Sequence, residues 1–161
     1  MQPWRRKKGL MRSSVKFTTR FEPMEREVIG DLTATVSEAL IGRAQSAPKD
    51  EFAEMIGMSA GHTEAPEDPK LARLLPDFER EGDEEFDGDN GLLRSLHEND
   101  IIKAKLINLQ VVNEVLGPTG GVEVTIEEAD APRFIAALND MRLYVSEDDR
   151  GGAVSYTHLR A

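Results

Sequence analysis

Residues 77–89 hold eight carboxylates among thirteen positions, the densest supply of ligand oxygens in the sequence. Asp83, Glu85 and Asp87, followed by Gly88, repeat the first half of a helix-flanked calcium loop, whose ligands alternate along the chain ahead of a glycine turn. The second half departs from that pattern. The position that needs a bidentate glutamate is Arg94, so calcium coordination is not expected and a solvated, mobile acidic loop is.

The other chemistry-bearing residue types lead no further. His62, His97 and His158 lie far apart, and His97-Glu98 lacks the second histidine of a zinc-protease helix. With no cysteine there is no thiolate ligand, no disulfide framework and no thiol redox switch. Gly117-Pro118-Thr119-Gly120-Gly121 resembles a phosphate loop only in its glycines, because Val122 stands where a lysine would be needed; it reads as a turn. No serine sits in a nucleophile motif. The expectation is a protein with no catalytic residue, no metal site and no cofactor, acting by binding another macromolecule.

Charge placement narrows the partner. Over 161 residues the net charge is -10, yet residues 1–20 hold seven Lys or Arg and no acid, leaving 13 basic against 30 acidic residues in the remainder. Such a body repels nucleic acid. Arg5, Arg6, Lys7 and Lys8 are the candidate phosphate contacts, on a basic arm expected over 1–14, for which a solvated role is the competing reading. No apolar run is long enough to span a bilayer, and a cytoplasmic location is expected.

The elements that must position these residues follow from periodicity. Val15, Phe17, Thr19 and Phe21 alternate with polar residues, as do Val122, Val124 and Ile126, which predicts two strands paired as a small ribbon with Lys16 or Arg20 across from Glu123. A first helix should start at Pro23 and bury Val28, Ile29, Leu32, Val36, Ala39 and Leu40. A short helix is expected over 49–58 and another opening at Asp68-Pro69. Thr125 with Glu128 fits a capping box ahead of a last helix that places Ile135, Leu138, Arg142 and Val145 on one face.

Residues 100–116, entered after a short helix bearing Leu92, Leu93 and Leu96, are apolar on so many sides that they should be central. Lys105, Asn108 and Asn113 fall inside the apolar arc, and buried polar groups of this kind need partners. Glu98, Asp100 and Asp140 are the acids available to Arg142. A buried network of Glu98, Asp100, Lys105, Asn108, Asp140 and Arg142 that fixes how two helices dock is the reading adopted; a ligand or partner contact is the alternative.

Asp68-Pro69, Leu71-Ala72-Arg73-Leu74-Leu75-Pro76, then Glu98, Asp100, Lys105 and Asn108, and finally Ala137-Leu138-Asn139-Asp140-Met141-Arg142-Leu143 resemble an actinobacterial family of AosR-type oxidative-stress regulators, over about residues 4–147. The resemblance implies a transcriptional regulator that works with an extracytoplasmic-function sigma factor or the polymerase on cysteine biosynthesis. It also implies a gene neighbourhood shared with the protease adaptor ClpS, so contact with the Clp machinery is one alternative. DNA binding through the basic arm is the other. The redox sensing associated with AosR-type members uses a pair of cysteines, which this sequence lacks.

The expected architecture is mainly α: a compact multi-helix domain over 15–147 with a two-stranded β ribbon. Residues 148–161 match none of these elements, read as translated sequencing adapter joined to a truncated gene, and are expected to be a disordered tail.

Overall fold

The alternation that begins at Val15 is realised as the middle strand of a three-stranded antiparallel sheet. The structure, a computed structural model, describes residues 1–8, 15–48, 55, 61–78, 86–117 and 123–159, with side chains for all of these except 86–89 and 148–159. Strand β1 (Arg5–Lys8) pairs with β2 (Val15–Arg20), and β2 with β3 (Glu123–Glu127). Arg20 lies across from Glu123, as predicted, and Lys16 from Glu127. The third strand corrects the expected ribbon and the expected arm together. Four cations in a row carry no alternation, so Arg5–Lys8 shows no strand signal of its own, although lysine and arginine are the residues that suit an exposed sheet edge. Trp4 anchors that edge, its ring standing edge-on to Phe21 at 6.2 Å and to Phe134 at 5.6 Å.

Helix α1 (Pro23–Gln45) starts at the expected proline. Its enclosed stripe is Thr33, Val36 and Leu40, and Val28 is exposed. Thr33 is tolerated there because its hydroxyl donates back to the Ile29 carbonyl at 2.7 Å. Helix α2 (Pro69–Leu74) opens as its sequence signal dictates: the Asp68 carboxylate accepts from the Lys70 amide at 2.9 Å, and Pro69 occupies a first-turn position where its missing N–H costs nothing.

The short helix expected around Leu92 and the central segment 100–116 are one 31-residue helix, α3 (Phe86–Leu116). Nothing in Glu98-Asn99-Asp100 forbids helical backbone, so the two runs join. Ile102, Leu109, Val112 and Leu116 are buried, whereas Ala104, Ile107 and Asn113 join Lys103, Gln110 and Glu114 on the exposed side. The solvent face is therefore wider than the apolar pattern predicts. Gly117 ends the helix with φ 66°, where a side chain would be strained; its N–H donates to the Asn113 carbonyl at 3.0 Å, and its own carbonyl accepts from Arg26 Nη2 at 2.7 Å.

A 3-10 turn (Glu128–Asp130) leads into α4 (Ala131–Leu159). Thr125 belongs to β3 and Glu127 caps the turn without a side-chain hydrogen bond, so no capping box forms. The buried face of α4 is Phe134, Ala137, Asp140, Met141 and Tyr144, about one residue's rotation from the face bearing Ile135, Leu138, Arg142 and Val145. Its backbone stays helical through 148–159, where a disordered tail was expected, in spite of two adjacent glycines that each cost about 1 kcal/mol relative to alanine. The helix expected at 49–58 lies outside the described residues except for Met55, which is helical and exposed, as do positions 83 and 85 of the calcium-like run and 118–121 of the glycine turn.

Two compact units emerge, one from 1–37 with 105–141, the other from 38–104 with 142–161. In the first, Val124 and Ile126 from the sheet and Phe21, just beyond β2, share a core with Val36, Leu109, Val112, Phe134 and Ala137. In the second, Leu40, Leu74, Leu75, Ile102 and Tyr144 are buried. Among the described residues, no helix is long and apolar enough to cross a membrane.

Candidate functional site

The residues predicted as one polar network are distributed over two clusters. In the first unit, Lys105 Nζ donates to Asp140 Oδ1 at 2.9 Å, with the carboxylate 8 % and the lysine 22 % exposed. Lys105 thus comes from the apolar arc of α3 and Asp140 from the buried face of α4, and each satisfies the other. Asn108 is half-buried on the same helix, one turn from Lys105.

Glu98 belongs to a different assembly, in the second unit. Its carboxylate accepts from Arg43 Nε at 2.6 Å and Arg43 Nη2 at 3.1 Å, and from Arg94 Nη1 at 2.8 Å. Arg94 is fully enclosed. It also donates to the Leu75 carbonyl at 3.1 Å and to Asp77 Oδ1 at 2.8 Å, and its guanidinium carbon lies 5.8 Å from the centre of the Phe78 ring. Arg43 reaches on to the Glu64 carbonyl at 2.5 Å, and its own carbonyl meets His62 Nε2 at 2.9 Å. Asn90 closes the far side, accepting from the Phe78 amide at 2.8 Å and donating to Asp77 Oδ1 at 3.2 Å.

Burial pushes the Glu98 carboxyl up more than any other single influence does, but the hydrogen bonds and charges of Arg43 and Arg94 together outweigh it and hold the group below the ordinary glutamate range. A carboxylate kept ionised between two guanidinium groups is poorly placed to donate a proton. It is well placed to tie α1, α3 and the segment after α2 together within this unit.

Asp100 and Arg142 are exposed. Arg94 and Arg43, the two cations that complete the Glu98 cluster, are the residues sequence reasoning missed. The available signal was the four-residue spacing of Arg94 and Glu98, which puts both on one helix face. Among the described residues no group of three His, Asp or Glu is placed to hold a metal ion.

The basic quartet is split by the pleat. Arg5 and Lys7 register against Thr18 and Lys16 on the outer face of the sheet, while Arg6 and Lys8 register against Phe17 and Val15 on the inner one. All four are exposed. On the outer face Lys16 and Arg20 are each opposed by a glutamate of β3. Phosphate attraction there is reduced accordingly.

Residues 1–148 match a family described as a domain of unknown function, DUF2017. The oxidative stress regulator AosR of Mycobacterium tuberculosis is 37 % identical over 144 residues, covering 82 % of this chain and 64 % of that protein. The protein of the same name in Mycobacterium bovis matches with the same identity and coverage. The chain thus spans about 64 % of the length of these curated relatives. No solved structure matches.

Proposed function

The chain belongs to the DUF2017 family, and on that premise we propose that it is a cytosolic, non-enzymatic regulator of the oxidative-stress response that acts by binding a sigma factor or another component of the transcription machinery. The observation that carries this reading is the 37 % identity, over 144 residues, to proteins named as oxidative stress regulators. The polar clusters support it. Glu98, Asp140, Arg94 and Lys105 are committed to one another in pairs within their own units, an arrangement that fixes helix docking and suits a binding scaffold.

The signal cannot be thiol oxidation within this chain, which has no cysteine. Affinity purification of the tagged chain from actinobacterial cells under oxidative stress, followed by binding of the purified pair, tests the proposal. Recovery of a sigma factor or polymerase subunit that binds directly is expected. A purified chain that binds neither removes the transcription partner.

A further inference from the structure

Among its described residues, the first unit carries an open apolar groove. Trp4, Phe17, Ile126, Phe134, Ile135 and Leu138 line a hollow of about 280 Å³ between the inner face of the sheet and the start of α4. Its volume lies below the roughly 300–1,000 Å³ of sites for drug-sized ligands, so it suits one or two large side chains better than a cofactor. At its mouth stands Ile135, 65 % exposed, on the face of α4 that the core does not use.

The charges that β1 brings to this mouth are cations, whereas Glu128 and Asp130 stand in the turn that leads into α4. Arg6 lies directly across from Phe17 and Lys8 across from Val15, so both project on the groove side of the sheet. Their cross-strand neighbours are apolar, whereas Lys16 and Arg20 on the opposite face have glutamates across from them. Neither Arg6 nor Lys8 pairs with a carboxylate among the described residues. Two cations flanking an apolar slot are complementary to carboxylates flanking apolar side chains. The lining offers a nucleic acid almost no polar partner.

We propose that this groove docks an acidic amphipathic segment of a partner protein, with apolar side chains entering between Trp4, Phe17 and Ile135 and flanking carboxylates meeting Arg6 and Lys8. The assignment of that segment to a transcription component rests on the function proposed above; the groove's chemistry does not.

Trp4 is the only tryptophan and lines the groove, which makes its emission a direct reporter. Two synthetic peptides serve as probes. Both carry leucines at helical i, i+3, i+4, i+7 spacing and differ only in having glutamate or lysine at the other positions. The glutamate peptide should shift Trp4 emission to the blue saturably, about tenfold more tightly than the lysine peptide, and lose affinity as salt is raised. Arg6→Glu combined with Lys8→Glu should invert the preference. Ile135→Asp should abolish the shift with the far-ultraviolet circular dichroism unchanged, and Ile135→Ser provides a milder variant should the aspartate unfold the chain.

Equal response to both peptides, response to neither, or a preference untouched by charge reversal overturns the proposal. So does a wild-type dimer that Ile135→Asp dissociates, since the groove would then belong to a second copy. Binding of the glutamate peptide by a chain that retains no sigma factor or polymerase subunit upholds the groove and removes only the transcription partner. Retention of that partner by a chain blind to both peptides does the reverse.

Discussion

Arg94 and Glu98, one helical turn apart on α3, are enclosed side by side, 0 % and 1 % exposed, and joined through Nη1 and Oε2 at 2.8 Å. Enclosure makes the pair sensitive to the loss of either member, because the survivor keeps its desolvation cost without its partner. Glu98→Leu, which leaves Arg94 and Arg43 facing one another, should lower stability by about 3–5 kcal/mol. The double variant Arg94→Met, Glu98→Leu should recover some of that loss. Urea unfolding of the wild type, the single variants Glu98→Leu and Arg94→Met, and the double variant checks this, and strictly additive losses would refute the coupling.

The acid limb of stability should carry the mark of Glu98. Its folded-state value is depressed, so its contribution is fully present above the ordinary glutamate value of about 4.3 and is lost as pH falls through the lower folded value. Glu98→Gln removes this dependence. The stability gap between wild type and variant should therefore be constant near neutrality and narrow below about pH 4, as read from urea midpoints across that range. A gap that widens on acidification would contradict the sign.

Lys105→Met strips the counter-charge from Asp140, 8 % exposed, and should cost about 1–3 kcal/mol. Partner binding should be unaffected once the protein is folded, because the pair is spent on joining α3 to α4. Unchanged unfolding midpoints with lost binding would place Lys105 at the interface instead.

Gly61 has room for no side chain: a Cβ there would come within 2.7 Å of the Ser95 carbonyl oxygen, to which the Gly61 amide already donates at 3.2 Å. Gly61→Ala must push these backbone segments away from each other and should lower stability by about 1–3 kcal/mol. Gly117→Ala acts differently, through its φ of 66°, with a cost of about 1–2 kcal/mol and nothing to clash with among the described residues. Differential scanning calorimetry of both variants compares a steric origin with a conformational one.

What could be read from the sequence depended on how each residue announces itself. Val15 to Arg20, Pro23 and Asp68-Pro69 carry local signals, alternation or first-turn chemistry, and the structure places a strand and two helix starts there. Arg5–Lys8 has no alternation, and its strand comes from pairing with β2, a non-local cause. On α4 the apolar residues straddle two adjacent faces. Phe134, Ala137, Met141 and Tyr144 face inward, and nothing local distinguishes their side from that of Ile135 and Leu138.

The polar residues show the same division. Lys105 stood out by interrupting an apolar arc, and it meets Asp140. Glu98 was marked, but its partners Arg43 and Arg94 were not, since an arginine at a helix end and another beside an acidic run look solvated until the chain folds around them. Asp100 and Arg142, marked for the same network, lie at the surface.

Each compact unit is assembled from two separate stretches of sequence, 1–37 with 105–141 and 38–104 with 142–161, and α1, α3 and α4 each contribute residues to both. A single scission at any point between residues 38 and 141 divides the stretches of both units. Fragment expression at such a cut point would strand complementary pieces of both cores, and a nascent chain must emerge well beyond Ala131 before even the first of them can close.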